Sequence, residues 1–262
     1  MTIVKRLLSL SENRDTVLDV VDCEGQSIGV HQQGNYRWLQ SCKLSIQSIL
    51  CLDNPGQLNL PNQNIMLVAL LLIDNPEKVL NLGFGGGSFE RFFHFAQTAT
   101  ERVDMVSVDI NNALVGLARQ YLQVPAKWPV LIQPAEDYLT LNQQVFKLIL
   151  CDLFNGGLHA QCLNEAVFYT NAAKSLQSDG VMAVNLAPKT DNELITILRF
   201  ARQSFIGVMI SKVAEQTNIV MLLSKQILPP PSELQDRAAL IKGRWPLDFS
   251  ALLAGFKCLP YL

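Results

Sequence analysis

The sequence predicts an α/β protein in which a mostly parallel sheet carries helices on both faces and a small antiparallel β unit precedes it. Three observations support this. From residue 78 onward, short apolar runs alternate with helix-period segments, the rhythm of strand–helix–strand crossovers. Before that, residues 16–52 hold only short strand-like runs separated by turn residues. A glycine cluster then falls between the first apolar run and the first helix of the alternating part.

Taken in order, 16–21, 27–31, 36–39 and 46–52 read as strands of a small sheet, punctuated by Gly25, Gly34 and Asn35. Pro55, Pro61 and Pro76 bracket an apolar helix candidate at 63–73. The alternating part follows with strand 78–82, helix 88–99, strand 103–109, helix 113–122 and strands 130–132, 146–151 and 181–186. A helix at 164–176 precedes the last of these, its end marked by Asp179 and Gly180. Helix 192–203 leads to two β-rich runs, 206–212 and 218–224, joined by a short polar connection suited to a hairpin. A late hairpin closing a parallel sheet is the ending of a Rossmann-like, seven-stranded methyltransferase fold. Pro229, Pro230 and Pro231 break the chain before short helices at 233–242 and 247–256. The division expected is an N-terminal β-rich segment, 1–60, and a nucleoside-binding domain, 61–262.

At 262 residues the chain holds one large domain and a small accessory piece. The hydrophobic share of 49% with only 17% charged residues points to extra buried surface, and a homodimer is expected. A net charge of −2, with both signs interspersed, provides no field for a phosphate backbone, so nucleic acid is not the expected partner. The six cysteines (Cys23, Cys42, Cys51, Cys151, Cys162, Cys258) form no C-x-x-C pair and read as reduced thiols of a cytoplasmic protein. His31, His94 and His159 lack ligand spacing, so no metal is expected. Residues 1–10 lack the apolar core and cleavage site of a signal peptide. The apolar run 65–73 is too short for a bilayer, so a soluble protein with no membrane partner is expected.

The chemistry centres on Gly83, Phe84, Gly85, Gly86, Gly87 and Ser88, which follow a strand and open a helix. Such a loop lets backbone approach a ligand, and the free N–H groups at the helix start favour an anionic or polar group. Asp109, at the end of the second strand, is placed to accept from both ribose hydroxyls, its plain alternative being a helix-start acid. Asp152 ends the fourth strand, at the carboxyl edge where open α/β sheets bind ligands, its plain alternative being a loop cap.

With these residues in view, the segments 79–88, 106–122 and 146–160 resemble the spermidine synthases, and more closely the bacterial spermidine-synthase-like proteins. The loop Leu82-Gly83-Phe84-Gly85-Gly86-Gly87-Ser88 is similar to their GLGGGS form rather than to the GGGDGG of the aminopropyltransferases. Upstream, Ile46-Gln47-Ser48, Leu52-Asp53-Asn54-Pro55 and Leu60-Pro61 resemble the family's glutamine-bearing strand and its approach to the first Rossmann strand.

The resemblance implies an adenosyl sulfonium ligand, decarboxylated S-adenosylmethionine or S-adenosylmethionine, held by residues 83–88, Gln47, Asp109, Ile110, Ala135 and Glu136. It makes Asp152 the catalytic base and puts Asn155 and Asn62 on the substrate side, with a small-molecule acceptor such as a polyamine. It also implies a degenerate amine site. Gly86 and Asn155 stand where the synthases carry aspartates, Asn62 where they carry a tyrosine, and Pro134 where an adenine-contacting aspartate is expected. Glu136 or Asp137 are candidates to restore charge. An amine needs deprotonation before it attacks a sulfonium carbon, and a diammonium needs anionic partners. The readings left open are an aminopropyltransferase, a methyltransferase using S-adenosylmethionine with Gly86 leaving room for its methionine end, and an inactive nucleoside-binding homologue. A nicotinamide-dependent oxidoreductase shares part of the glycine fingerprint, but the late loop and terminal hairpin argue against it.

Overall fold

The computed structural model describes residues 2–23, 26–41, 45–96, 102–155 and 157–260. The expected turn at Gly25, the last residues of the expected helix at 97–99, Cys42 and the side chain of Cys23 lie outside that description. The N-terminal strands form as predicted: β1 (Val17–Cys23), β2 (Gln26–Gln33), β3 (Tyr36–Ser41) and β4 (Ser45–Cys51) make a four-stranded antiparallel meander. Strand alternation assigns its two faces. Trp38 and Ile49 pack with Leu7 of helix α1 (Ile3–Leu10), whereas Leu39 and Leu50 join Ile28 and Val30 against Leu114, Leu117 and Ala118 of helix α4 (Asn112–Tyr121).

The chain continues through α2 (Pro61–Met66), β5 (Lys78–Leu82), α3 (Ser88–Ala96), β6 (Asp104–Asp109), α4, β7 (Val130–Ile132), α5 (Ala135–Leu141) and β8 (Phe146–Cys151). A small hairpin of β9 (Phe154–Asn155) and β10 (Leu158–His159) precedes α6 (Ala166–Lys174), β11 (Leu176–Leu186) and α7 (Asp191–Arg202). Then come β12 (Gly207–Lys212), β13 (Ile219–Ser224), α8 (Pro231–Leu240), α9 (Phe249–Leu253) and β14 (Phe256–Cys258).

The large sheet runs β14-β12-β13-β11-β8-β5-β6-β7. Strands β11, β8, β5, β6 and β7 are parallel, and the terminal hairpin is antiparallel. The seven expected strands are therefore present, extended by an eighth edge strand, β14, that pairs with β12 through Met209 and Cys258. Leu148 and Leu150 face one core and Ile149 and Cys151 the other, so helices cover both faces. The sequence order reverses at β5, which lies between β6 and β8. That switch point, at the carboxyl ends of the strands, is where open α/β sheets bind their ligands.

Several elements differ from expectation. The apolar segment 63–73 is not one helix: α2 ends at Met66 and Leu67–Leu71 tightens into a 3-10 turn, all five residues buried. A segment enclosed on all sides shows no amphipathic period to read. Helix α6 stops at Lys174, where Lys225 Nζ takes the Ala173 and Leu176 carbonyls, so Asp179 and Gly180 lie inside β11. A side chain at Gly180 would meet the Lys147 carbonyl at 2.9 Å, so this glycine serves close packing rather than a helix end. The last expected helix shrinks to α9, its tail forming β14. Helix α5 is an addition; with seven residues it is too short for its period to register.

Candidate active site

Strand β5 delivers the chain to the glycine loop at Gly83, whose φ of +93° is natural only for glycine. A Cβ there would stand 2.4 Å from the backbone oxygen of Asp152, so the loop and the end of β8 are in direct contact. Gly86 turns the other way. A Cβ on it would lie 2.2 Å from Ser48 Cβ on β4, so the space a side chain on Gly86 would take is occupied by β4. That side of the loop is filled by the N-terminal sheet. Ser48 Oγ meets Ser88 Oγ at 2.9 Å, and the buried guanidinium of Arg91 donates to the carbonyls of Gly86 (2.6 Å), Leu122 (3.2 Å), Ile49 (3.4 Å) and Pro55 (3.2 Å). Burial lowers its pKa to about 10.

On the nucleoside side, Asp109 is half-buried at the end of β6. Its Oδ2 accepts from the Gly85 N–H and its Oδ1 from the Asn111 N–H, each at 2.8 Å. The carboxylate thus shapes the loop, and each oxygen keeps a lone pair for a hydroxyl donor. Burial raises its pKa while those N–H groups pull it down. Ile110 follows with its side chain 71% exposed, an apolar surface beside the carboxylate that a flat base would cover. Ala135 is buried, so only its backbone is available to a ligand. Glu136 and Asp137 are exposed in the first turn of α5. Burial pushes the Cys162 thiol up to about 12, with the Glu136 carboxylate adding to the effect. Gln47 sits on the extra residue of a bulge, where β3 pairs Leu39 with Ser48 and then Gln40 with Ile46. Its amide donates to Ser41 Oγ (2.5 Å) and Ser45 Oγ (3.2 Å).

Asp152 lies just past β8, enclosed on most sides. Its Oδ1 accepts from Asn185 Nδ2 at 2.8 Å and its Oδ2 from Asn62 Nδ2 at 3.2 Å. Asn218 Nδ2 in turn donates to Asn185 Oδ1 at 3.0 Å. Burial raises the Asp152 carboxyl above its usual range, against the pull of the two amides. A carboxylate fixed by neutral donors, with a raised pKa and one lone pair per oxygen still free, is suited to take a proton near neutral pH.

Asn62, expected on the substrate side, is brought to Asp152 by this hydrogen bond. Asn155, exposed on β9 opposite Leu158, is not bonded to it. Asn185, Asn218, Ser48 and Arg91 were not singled out in the sequence. Asn185 had one readable signal, a polar residue in the apolar run 181–186 of a strand buried on both faces.

No protein-family model matches the chain. It is 27% identical over 237 residues to the polyamine aminopropyltransferase of Neisseria meningitidis serogroup A, covering 88% of this chain and 89% of that protein. It is 28% identical over 236 residues to the polyamine aminopropyltransferase of Chromobacterium violaceum, with the same coverage of both. Among solved structures, a probable spermidine synthase from Corynebacterium glutamicum superposes with a TM-score of 0.73 at 15% identity, over 89% of this chain and 91% of that one.

Proposed function

We propose, from the premise that this chain is a spermidine-synthase-like family member, that it binds an adenosyl sulfonium compound at the β5–β6 crevice and transfers an alkyl group to an amine. Decarboxylated S-adenosylmethionine is the donor this reading takes, in keeping with the polyamine aminopropyltransferases the chain resembles. Asp109 would take the ribose hydroxyls, the loop backbone would approach the nucleoside, and Asp152 would accept the amine proton as nitrogen attacks the sulfonium-bound carbon. The bond formed is carbon–nitrogen, the bond broken is carbon–sulfur, and the leaving group is a neutral thioether.

One observation carries the reading: Asp152, oriented by Asn62 and Asn185 and raised by burial, abuts the glycine loop at Gly83. The groups that orient Asp152 are neutral amides, so a second ammonium on the acceptor finds no charge among them. Transfer to putrescine is expected to be slow or absent. Glu136 and Asp137, exposed in the first turn of α5, are the acidic candidates to compensate.

The test is mass spectrometry of the protein with decarboxylated S-adenosylmethionine and a panel of mono-, di- and polyamines. The expected products are methylthioadenosine and an amine heavier by one aminopropyl group, both absent in Asp152→Asn. Methyl transfer from S-adenosylmethionine instead would favour the methyltransferase reading, and ligand binding without turnover the inactive homologue.

A further inference from the structure

One turn into α3, beneath the glycine loop, Glu90 is only 1% exposed. Its Oε1 accepts from Asn81 Nδ2 at 2.8 Å and from Ser107 Oγ at 2.5 Å. Asn81 and Ser107 are register partners on β5 and β6, two residues before Gly83 and Asp109 respectively. One carboxyl group thus ties together the three elements that carry the nucleoside side of the site. The other oxygens of the pair, Glu90 Oε2 and Asn81 Oδ1, are both buried and without a hydrogen-bond partner. Two acceptors are orphaned on groups already joined by one bond, and a single proton satisfies both.

We propose that Glu90 is a neutral carboxylic acid whose Oε2–H donates to Asn81 Oδ1, closing a two-point acid–amide pair that makes Glu90 a positioning residue for the glycine loop and Asp109. A sealed site disfavours the charged form. Burial raises the Glu90 carboxyl, while Ser107, Asn81 and the Arg91 charge pull the other way. Arg91 does not pair with it; its donors go to backbone carbonyls and to the Ser48 and Ser88 hydroxyls. Other charged or titratable groups on the surrounding elements are Lys78 on β5, Asp104 and Asp109 on β6, Lys147 and Cys151 on β8 with Asp152 just past it, Asp53 past β4, His94 on α3 and Arg244 beside the Trp245 that stacks on Phe92. Arg91 is the charged neighbour whose field acts on Glu90. The pair belongs to the fold beneath the site, so it stands or falls separately from the adenosyl reading.

Glu90→Gln is the decisive variant, because a glutamine amide can donate to Asn81 Oδ1 as the acid does. A group whose pKa is raised by folding lends stability that is complete below its unfolded value, about 4.3, and is lost as pH rises toward the folded value. Wild-type Tm should therefore fall relative to Glu90→Gln from about pH 5 to about pH 9, with the variant at least as stable at the upper end. A protonated-carboxyl C=O infrared band should be present in the wild type at neutral pH and absent in Glu90→Gln. Glu90→Leu, which leaves Asn81 and Ser107 unpaired, should speed amide exchange at Gly85 and Gly87 severalfold, whereas Glu90→Gln should not. A missing band, or a Tm deficit in Glu90→Gln that does not change with pH, would show an ionised Glu90 and overturn the pair. Unchanged exchange in Glu90→Leu would remove the positioning role. If Glu90→Gln does not fold, the neutral-pH carboxyl band should persist in Asp152→Asn and Asp109→Asn, and its loss in either would overturn the pair.

Discussion

At the scale of single residues, the proposed function divides the work of the site between Asp152 and Asp109. Asp152→Asn keeps a similar volume but cannot accept a proton, and it sets its own amide against Asn62 or Asn185. Amine transfer is expected to fall by about 10²–10⁴-fold, the range of a general base, measured as kcat/KM. Because burial raises the Asp152 carboxyl, the base form appears only above the ordinary aspartate value of about 3.9. Activity should climb with pH through that raised value, and a profile that turns at or below the ordinary aspartate value would contradict the assignment. The same shift has a stability consequence. The contribution of Asp152 is complete below its unfolded pKa and lost as pH rises through the folded one, so ionising the base costs the fold some stability.

At the scale of elements, the glycine loop is held between two neighbours, and each can be tested. Gly86→Ala drives a methyl group into Ser48 of β4 and is expected to cost about 1–3 kcal/mol, read from the urea midpoint. A neutral result there would mean that the N-terminal sheet does not seat against the loop. The elements built on a clear period were legible in the sequence: β5, β6, β8 and the hairpin β12–β13 lie within one or two residues of expectation. Those governed by enclosure or brevity were not. Leu67–Leu71 is buried on every side and shows no stripe, α5 has only seven residues, and β14 exists through its pairing with β12. The site divides the same way. Gly83, Asp109 and Asp152 announce themselves by position at strand ends. Asn218 acts through a tertiary contact that no local pattern encodes, and Asn185 showed itself only as a polar residue in an apolar run.

At the scale of the whole molecule, the antiparallel meander and the large sheet share packing through α4 and Arg91, so the division near residue 60 separates two sheets rather than two independent bodies. The homodimer expected through residues 16–60 stands as a proposal. β1 is an edge strand that leaves Val17, Leu18 and Val20 exposed, and sedimentation at micromolar concentration should show a dimer. A monomer throughout would set that proposal aside without touching the site. The account as a whole rests on an adenosyl ligand in the crevice between the glycine loop and Asp109. Calorimetric titration of the wild type and Asp109→Ala with methylthioadenosine, decarboxylated S-adenosylmethionine and S-adenosylmethionine tests it most directly. The wild type should release binding heat with at least one of them, and Asp109→Ala should weaken it by about 1–3 kcal/mol, the cost of unpaired ribose hydroxyls and loop amides. Absence of heat with all three, together with binding of a nicotinamide dinucleotide, would contradict it.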